Sequence, residues 1–310
     1  MTGRPLPRGR SFLLQFLASM ASSRTKPWQR VAIVGVGLIG GSIGLDLLRL
    51  GLAKEVVGIG RRAATMKVAK KIGAVTETTL DLARGVETAD LVIVCTPVGR
   101  IVDDVLAAAK ANRTGALITD AGSTKESIVR AIDSAAAQGE LPDGVCFIGS
   151  HPMAGSEKNG PAAATERLFV DRTVIITPTQ QTCAKAAAAV TKFWKALGAN
   201  VVTLSPSQHD CAVAAISHLP HVAASALAGV TARGNLKLVG GGWEDTTRVA
   251  AGDPDLWQQI LLDNRAAILD SLDRYSDKLA AFRKAIEQSD SKQLAALLTE
   301  AKQTRDALGS

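Results

Sequence analysis

Val31-Ala32-Ile33-Val34-Gly35-Val36-Gly37-Leu38-Ile39-Gly40-Gly41-Ser42 is the stretch on which the fold turns. A short β-branched run passes directly into a Gly-x-Gly-x-x-Gly turn, and the helix-like segment Ser42–Leu50 follows. Between a strand and a helix each glycine has a task. Gly35 permits the tight turn, Gly37 lets the backbone approach a pyrophosphate, and Gly40 lets helix and strand pack closely. The helix start then offers free N–H groups and the positive end of its dipole to phosphates. The loop, including Leu38 and Ile39, is therefore expected to hold a dinucleotide.

Outward from that loop, apolar runs alternate with helical segments. The runs are 31–36, 55–59, 90–95, 116–119, 145–148, 173–177 and 200–204, each bounded by Gly, Pro, Asp or a polar residue. Short runs without polar alternation suit strands buried on both faces, and their alternation with helices predicts a parallel, doubly wound sheet. After Ser205 the strand signals stop. Ser205-Pro206-Ser207-Gln208 reads as a capping box with proline in the first turn. A long helix is expected beyond it, interrupted at Pro220 and again at Gly240–Gly242, with further helices from Asp253-Pro254 onward. At 310 residues the chain suits two domains. The divisions expected are a leader over 1–29, disordered or preceding a true start at Met20, an α/β domain over 30–204, and a helical domain over 205–310.

The charge is uneven. There are 36 basic and 29 acidic residues, but Arg4, Arg8, Arg10, Arg24, Lys26 and Arg30 fall in the first thirty positions, where there is no acid. The body is thus close to neutral, and a nucleic-acid partner is not expected. No unbroken run of about 18 apolar residues occurs, so no spanning helix is expected either. Cys95, Cys146, Cys183 and Cys211 have no metal-ligand spacing and read as thiols of a reducing, cytoplasmic compartment. No metal site is expected.

Two features carry chemistry. At the end of the second long run, Val57-Gly58-Ile59-Gly60-Arg61-Arg62 puts Gly60 where an acid would accept the ribose hydroxyls of NAD. The Arg61 and Arg62 guanidiniums favour the 2′-phosphate of NADP instead, with NAD the alternative. The second feature is a set of loops at the carboxyl edge of the sheet: Cys95-Thr96-Pro97, Asp120-Ala121-Gly122-Ser123-Thr124-Lys125 and Gly149-Ser150-His151-Pro152. Thr96 and Pro97 would border the nicotinamide. His151 is the candidate general base for oxidising an alcohol, and Ser123 could orient it. His218 and His221 share a helix face, whereas His209, nine residues before His218, is expected on the opposite side.

GVGLIGGS, CTPV, DAGSTK, SHPMAGSE, SHLPH and DTTRVA followed by DPDLW, in this order from residue 31 to about 265, resemble the prephenate/arogenate dehydrogenases of tyrosine biosynthesis. The resemblance implies a Rossmann-like domain followed by an all-helical dimerisation domain, with a homodimer as the assembly. It implies oxidative decarboxylation of prephenate to 4-hydroxyphenylpyruvate, or of arogenate to tyrosine. His151 would take the proton of the ring hydroxyl, with Ser123 positioning it, and Arg248 would bind a substrate carboxylate. His218 and His221 would line the pocket, Glu157 and Asp245 would form polar links around it, and Trp257 would close it from this or a second subunit. The sequence itself ends after the helical domain, so no fused mutase or regulatory domain is expected. A cofactor sensor without catalysis is the rival reading.

Overall fold

In the computed structural model, residues 27–309 other than Glu157 are described. The leader before Pro27 and the pocket role of Glu157 therefore lie outside the described residues. Eight strands form one sheet: β1 (Trp28–Val34), β2 (Ala53–Ile59), β3 (Glu77–Thr79), β4 (Leu91–Val94), β5 (Leu117–Asp120), β6 (Cys146–Pro152), β7 (Thr173–Thr177) and β8 (Asn200–Thr203). Their spatial order is β3-β2-β1-β4-β5-β6-β7-β8. The first six are parallel; β7 pairs antiparallel with β6, and β8 runs parallel to β7.

Alternate residues of the central strands feed two cores. Val31, Ile33, Leu91 and Ile93 face one side with Ile43, Leu47, Phe169 and Trp194. Ala32, Val34, Val92 and Val94 face the other with Ile101, Val105, Ile118 and Ile128. Helices cover both sides, which is why these strands lack a polar face. Chain order reverses between β1 and β4, and that switch point opens the crevice in which ligands of such sheets bind.

The fully parallel sheet expected from the sequence is thus corrected at β7. Val174–Ile176 is buried throughout, and a strand covered on both faces reads the same in either direction. The strand β3 adds a further correction. Its three residues, Glu-Thr-Thr, form an edge with no apolar run to announce it.

The helices that position the site are α1 (Leu38–Arg49), α2 (Ala63–Lys71), α3 (Leu82–Val86), α4 (Val98–Ala111), α5 (Glu126–Ala137) and α6 (Ala184–Ala196). After β8 come α7 (Pro206–Val213), α8 (Leu219–Val230), α9 (Gly241–Thr247), α10 (Pro254–Asp263), α11 (Arg265–Glu287) and α12 (Ser291–Asp306). The Ser205 hydroxyl accepts from the Gln208 amide and the Gln208 side chain accepts from the Ser205 amide, so the capping box forms.

Pro220 does not break the helix as the sequence suggests. A π turn at Ala214–His218 precedes it, and the helix continues through Leu219–Val230. The wider turn makes room for the ring and for the carbonyl that a proline nitrogen cannot satisfy. The resulting stretch Pro206–Val230 is long and apolar enough, by length and composition, to cross a bilayer, which a search for unbroken apolar runs misses. It nevertheless carries His209, Asp210, His218 and His221, all buried in the protein.

Candidate active site

A cavity of about 550 Å³ lies between the Gly-rich loop, the ends of β4 to β6 and the helical region. Its floor is the glycine turn. Gly35 has φ +92°, and a Cβ there would sit 2.7 Å from the Cys95 carbonyl oxygen. A Cβ on Gly40 would meet the Gly35 oxygen at 2.3 Å, whereas one on Gly37 would have nothing within 4 Å. Two glycines thus close the turn and the third leaves a bare cradle at the start of α1. Those features fit a dinucleotide pyrophosphate.

The chemical wall is built from β6 and α7. His151, 8% exposed, borders the cavity, and its Nδ1 lies 2.8 Å from Nε2 of His209. His209 Nδ1 is 2.7 Å from Asp210 Oδ1, and Asp210 accepts the Lys125 and Glu126 amides at 2.8 and 2.9 Å. Burial pushes the His151 imidazole well below its ordinary range, helped by the neighbouring His209, Lys125 and His218. Burial also lowers His209, against the pull of Asp210. Burial would raise Asp210, but hydrogen bonds from His209 and the two amides hold it below the usual carboxylate value. The rings are therefore neutral at physiological pH.

Beneath this group, Lys125 and Asp120 form a wholly buried ion pair at 2.5 Å. Asp120 also accepts the Gly122 and Ser150 amides, so it fixes two of the loops that line the cavity. On the helical side, Asn264 donates to the Asp210 carbonyl at 2.8 Å and lies 3.2 Å from His218 Nδ1. An amide N–H donating there leaves His218 Nε2 carrying the ring proton. That atom is buried without a protein partner, on a residue of the cavity wall. Burial pushes the His218 pKa down to about 4.

Family models for the prephenate dehydrogenase nucleotide-binding domain and dimerisation domain match residues 43–203 and 205–300. The chain belongs to the prephenate dehydrogenase family. It is 36% identical to the prephenate dehydrogenase of Bacillus subtilis (strain 168) over 286 residues, 90% of this chain and 76% of that protein. It is 33% identical to the cyclohexadienyl dehydrogenase of Zymomonas mobilis over 294 residues, covering 91% and 96%. The Aquifex aeolicus prephenate dehydrogenase, solved with hydroxyphenyl propionate and NAD+, superposes with a TM-score of 0.83 at 29% identity over 92% of this chain and 99% of that one. The Synechocystis arogenate dehydrogenase gives 0.75 at 30% identity, covering 90% and 100%. As a prephenate dehydrogenase family member the chain is an oxidoreductase with a nucleotide-binding Rossmann-like domain, which sets aside the non-catalytic sensor.

Of the residues singled out in the sequence, Gly37, Leu38, Ile39, Gly40, Thr96, Pro97, Ser123, His151, His218, Arg248 and Trp257 all line this one cavity. Others do not. Gly35 shapes the turn from below. His221 stacks on Trp257 of the same chain, ring centroids 3.5 Å apart and planes 8° apart, and backs the wall instead of facing the cavity. Asp245 is exposed on α9 away from the lining, and Arg61 and Arg62 are exposed beyond β2. Ser123 shares the cavity with His151, but the hydrogen-bond partner of the imidazole is His209.

His209 corrects the helical-wheel argument that sent it to the opposite side. A π turn inserts about one extra residue between His209 and His218, some 100° of phase, and brings the two into one quadrant. The adjacent pair His209-Asp210 just after a capping box was the available signal. Lys158, also on the cavity wall, was missed because it lies in a polar loop without periodicity.

Proposed function

We propose that this enzyme oxidises prephenate at its ring hydroxyl and releases the ring carboxylate as carbon dioxide, giving 4-hydroxyphenylpyruvate. The observation that carries the reading is a buried, neutral His151 on the wall of the same cavity as the Gly37–Gly40 cradle. Held in that cradle, a nicotinamide dinucleotide supplies the acceptor for the hydride. His151 takes the hydroxyl proton as the carbonyl forms. The new ketone is conjugated to the carbon bearing the carboxylate, so carbon dioxide leaves with its electrons passing into the ring, which becomes aromatic. Loss of the carboxylate then needs no further acid or metal. The remaining requirement is to hold a dianion, and Lys158 and Arg248 on the wall are suited to it, with the His218 Nε2–H available to an oxygen.

Prephenate is favoured over arogenate by the treatment of the one acid that lines the cavity among the described residues. Asp253 lines the cavity, but its Oδ1 accepts the Asp255 and Leu256 amides at the start of α10. An ammonium side chain would want a carboxylate not committed to a helix. The likeness to the Synechocystis arogenate dehydrogenase keeps arogenate as the second reading.

NADP is the proposed cofactor. Support comes from Gly60, which puts no carboxylate at that position, and from the exposed Arg61 and Arg62 at the end of β2, whose two guanidiniums suit a 2′-phosphate. A homodimer is proposed on the dimerisation-domain match and on the exposed apolar side chains Ile216, Val230, Leu262 and Ile286 of the helical region. The four free thiols support a cytoplasmic setting. We divide the chain at 204/205, between the end of β8 and the capped start of α7.

The test is a grid of prephenate and arogenate against NADP and NAD, followed by the near-ultraviolet absorbance of the reduced nicotinamide. Fastest reduction with prephenate and NADP is expected. Turnover with arogenate alone would overturn the substrate, and equal or better rates with NAD would overturn the cofactor.

A further inference from the structure

The base in this reading is a single nitrogen, and an imidazole has two. A neutral ring can accept the substrate proton only if the nitrogen facing the cavity is the bare one. The hydrogen bonds behind His151 decide which it is. Asp210, held below the ordinary carboxylate range, is ionised and has only lone pairs to offer, so His209 must present N–H from Nδ1 across the 2.7 Å contact. A neutral His209 then has a bare Nε2. That atom, 2.8 Å away, obliges His151 to donate from its own Nδ1. The proton of His151 is therefore drawn to the protein side, and Nε2 is left as a lone pair.

We propose that His209 and Asp210 are positioning residues of the reaction: they fix the accepting tautomer of His151 and stabilise the imidazolium that forms when it takes the substrate proton. The inference rests on His151 as the base. The origin of the chain is rigid, because the Asp210 carboxylate also receives the Lys125 and Glu126 amides at the N-terminus of α5. As the substrate O–H bond breaks and the Nε2–H bond forms, the O–H electron pair stays with oxygen to make the carbonyl. The pair leaving carbon goes as hydride to the dinucleotide of the proposed reaction. The positive charge that appears on His151 is shared through Nδ1–H with His209, and from there with Asp210. The other charged or titratable groups that face the pair are Lys125, paired with Asp120, and His218. Lys125 and Asp120 neutralise one another, so Asp210 is the carboxylate left to balance the imidazolium.

Three variants and one spectrum test this. His209→Leu should lower kcat on the order of 10²–10³-fold, with KM for both substrates near wild type. His209→Gln, whose carbonyl oxygen can accept from His151 Nδ1, should recover a substantial part of that loss. Nitrogen NMR of labelled wild-type enzyme should show His151 protonated on Nδ1 and bare on Nε2, which needs no variant to fold. Full activity of His209→Leu, no difference between the Leu and Gln variants, or a proton on His151 Nε2 would each overturn the proposal. His151→Asn separates the two levels. If it is active, the base itself is wrong; if it is inactive while His209→Leu turns over normally, only the positioning role fails.

Discussion

At position 151 the expected outcome of His151→Asn is a fall in kcat of about 10²–10⁴-fold with cofactor affinity intact, the loss typical of a general base. The ring is held neutral far below its ordinary range, so kcat/KM of the wild type should stay level through neutrality and decline only well below pH 6.5. A decline centred at the ordinary histidine value would show that His151 is not the titrating base. Arg248, exposed on the cavity wall, gives a different signature. Arg248→Ala should raise the substrate KM by a charged hydrogen bond of ~1.5–3 kcal/mol while the cofactor KM holds. An unchanged KM with a lowered Tm would make the arginine structural. At position 60 a side chain meets a local obstacle: a Cβ would lie 2.5 Å from Met66 Cε and 2.8 Å from Met66 Sδ. The thioether is flexible and can yield. Gly60→Asp with Arg61→Ala should therefore turn preference from NADP toward NAD, each lost arginine–phosphate contact costing ~1.5–3 kcal/mol. Added salt should weaken NADP more than NAD. An NADP KM indifferent to both changes would leave these arginines without a phosphate.

On the scale of elements, the turn between β1 and α1 offers a matched pair of substitutions. Gly44 packs α1 against the chain after α2, and a Cβ there would fall 2.0 Å from the Ala74 carbonyl oxygen. Gly44→Ala should cost at least ~1–3 kcal/mol of stability, read as a lower Tm. Gly37→Ala meets nothing and has φ −96°, so its Tm should match wild type while the cofactor KM rises steeply. Reversal of that pattern would mean that Gly37 serves the fold and not the ligand. Elements such as β1 and β4 were legible because burial on both faces leaves an unbroken β-branched run, and the cradle was legible because glycine is required at fixed offsets. The polar edge β3 carries no such run, and the direction of β7 leaves no mark in its residues. His209 was hidden for a subtler reason: its place depends on a local change of helical pitch, which no fixed period can anticipate.

For the molecule as a whole, four buried histidines couple folding to acidity. Burial lowers His151, His209, His218 and His221, so the unfolded chain binds protons that the native state refuses. Their contribution is complete above about pH 6.5 and is lost as pH falls toward the native values. For His218, with its pKa near 4, the loss approaches ~3 kcal/mol across that interval. Thermal melts at neutral pH and near pH 5 should differ accordingly, and His218→Phe should narrow the gap; equal melts would place these rings in contact with water. The assembly has its own test. Val230→Glu with Leu262→Glu, at positions 81% and 65% exposed in the single chain, should shift sedimentation from dimer to monomer. A dimer that survives both charges would be built on another face. The π turn at Ala214–His218 has a consequence for tolerance to insertion and deletion. It works as a vernier between the end of the helix that supports the base and the end that carries His218 and His221. Straightening the turn with its length unchanged would rotate everything downstream by roughly 100°. Removing one residue would instead restore an even pitch and keep the downstream phase, since eight α-helical residues also leave the two ends about 80° apart. Such a deletion should still yield a helix whose halves keep their neighbours. A second residue removed would swing His218 roughly 100° from its present direction, and length at this point is as much a catalytic parameter as identity.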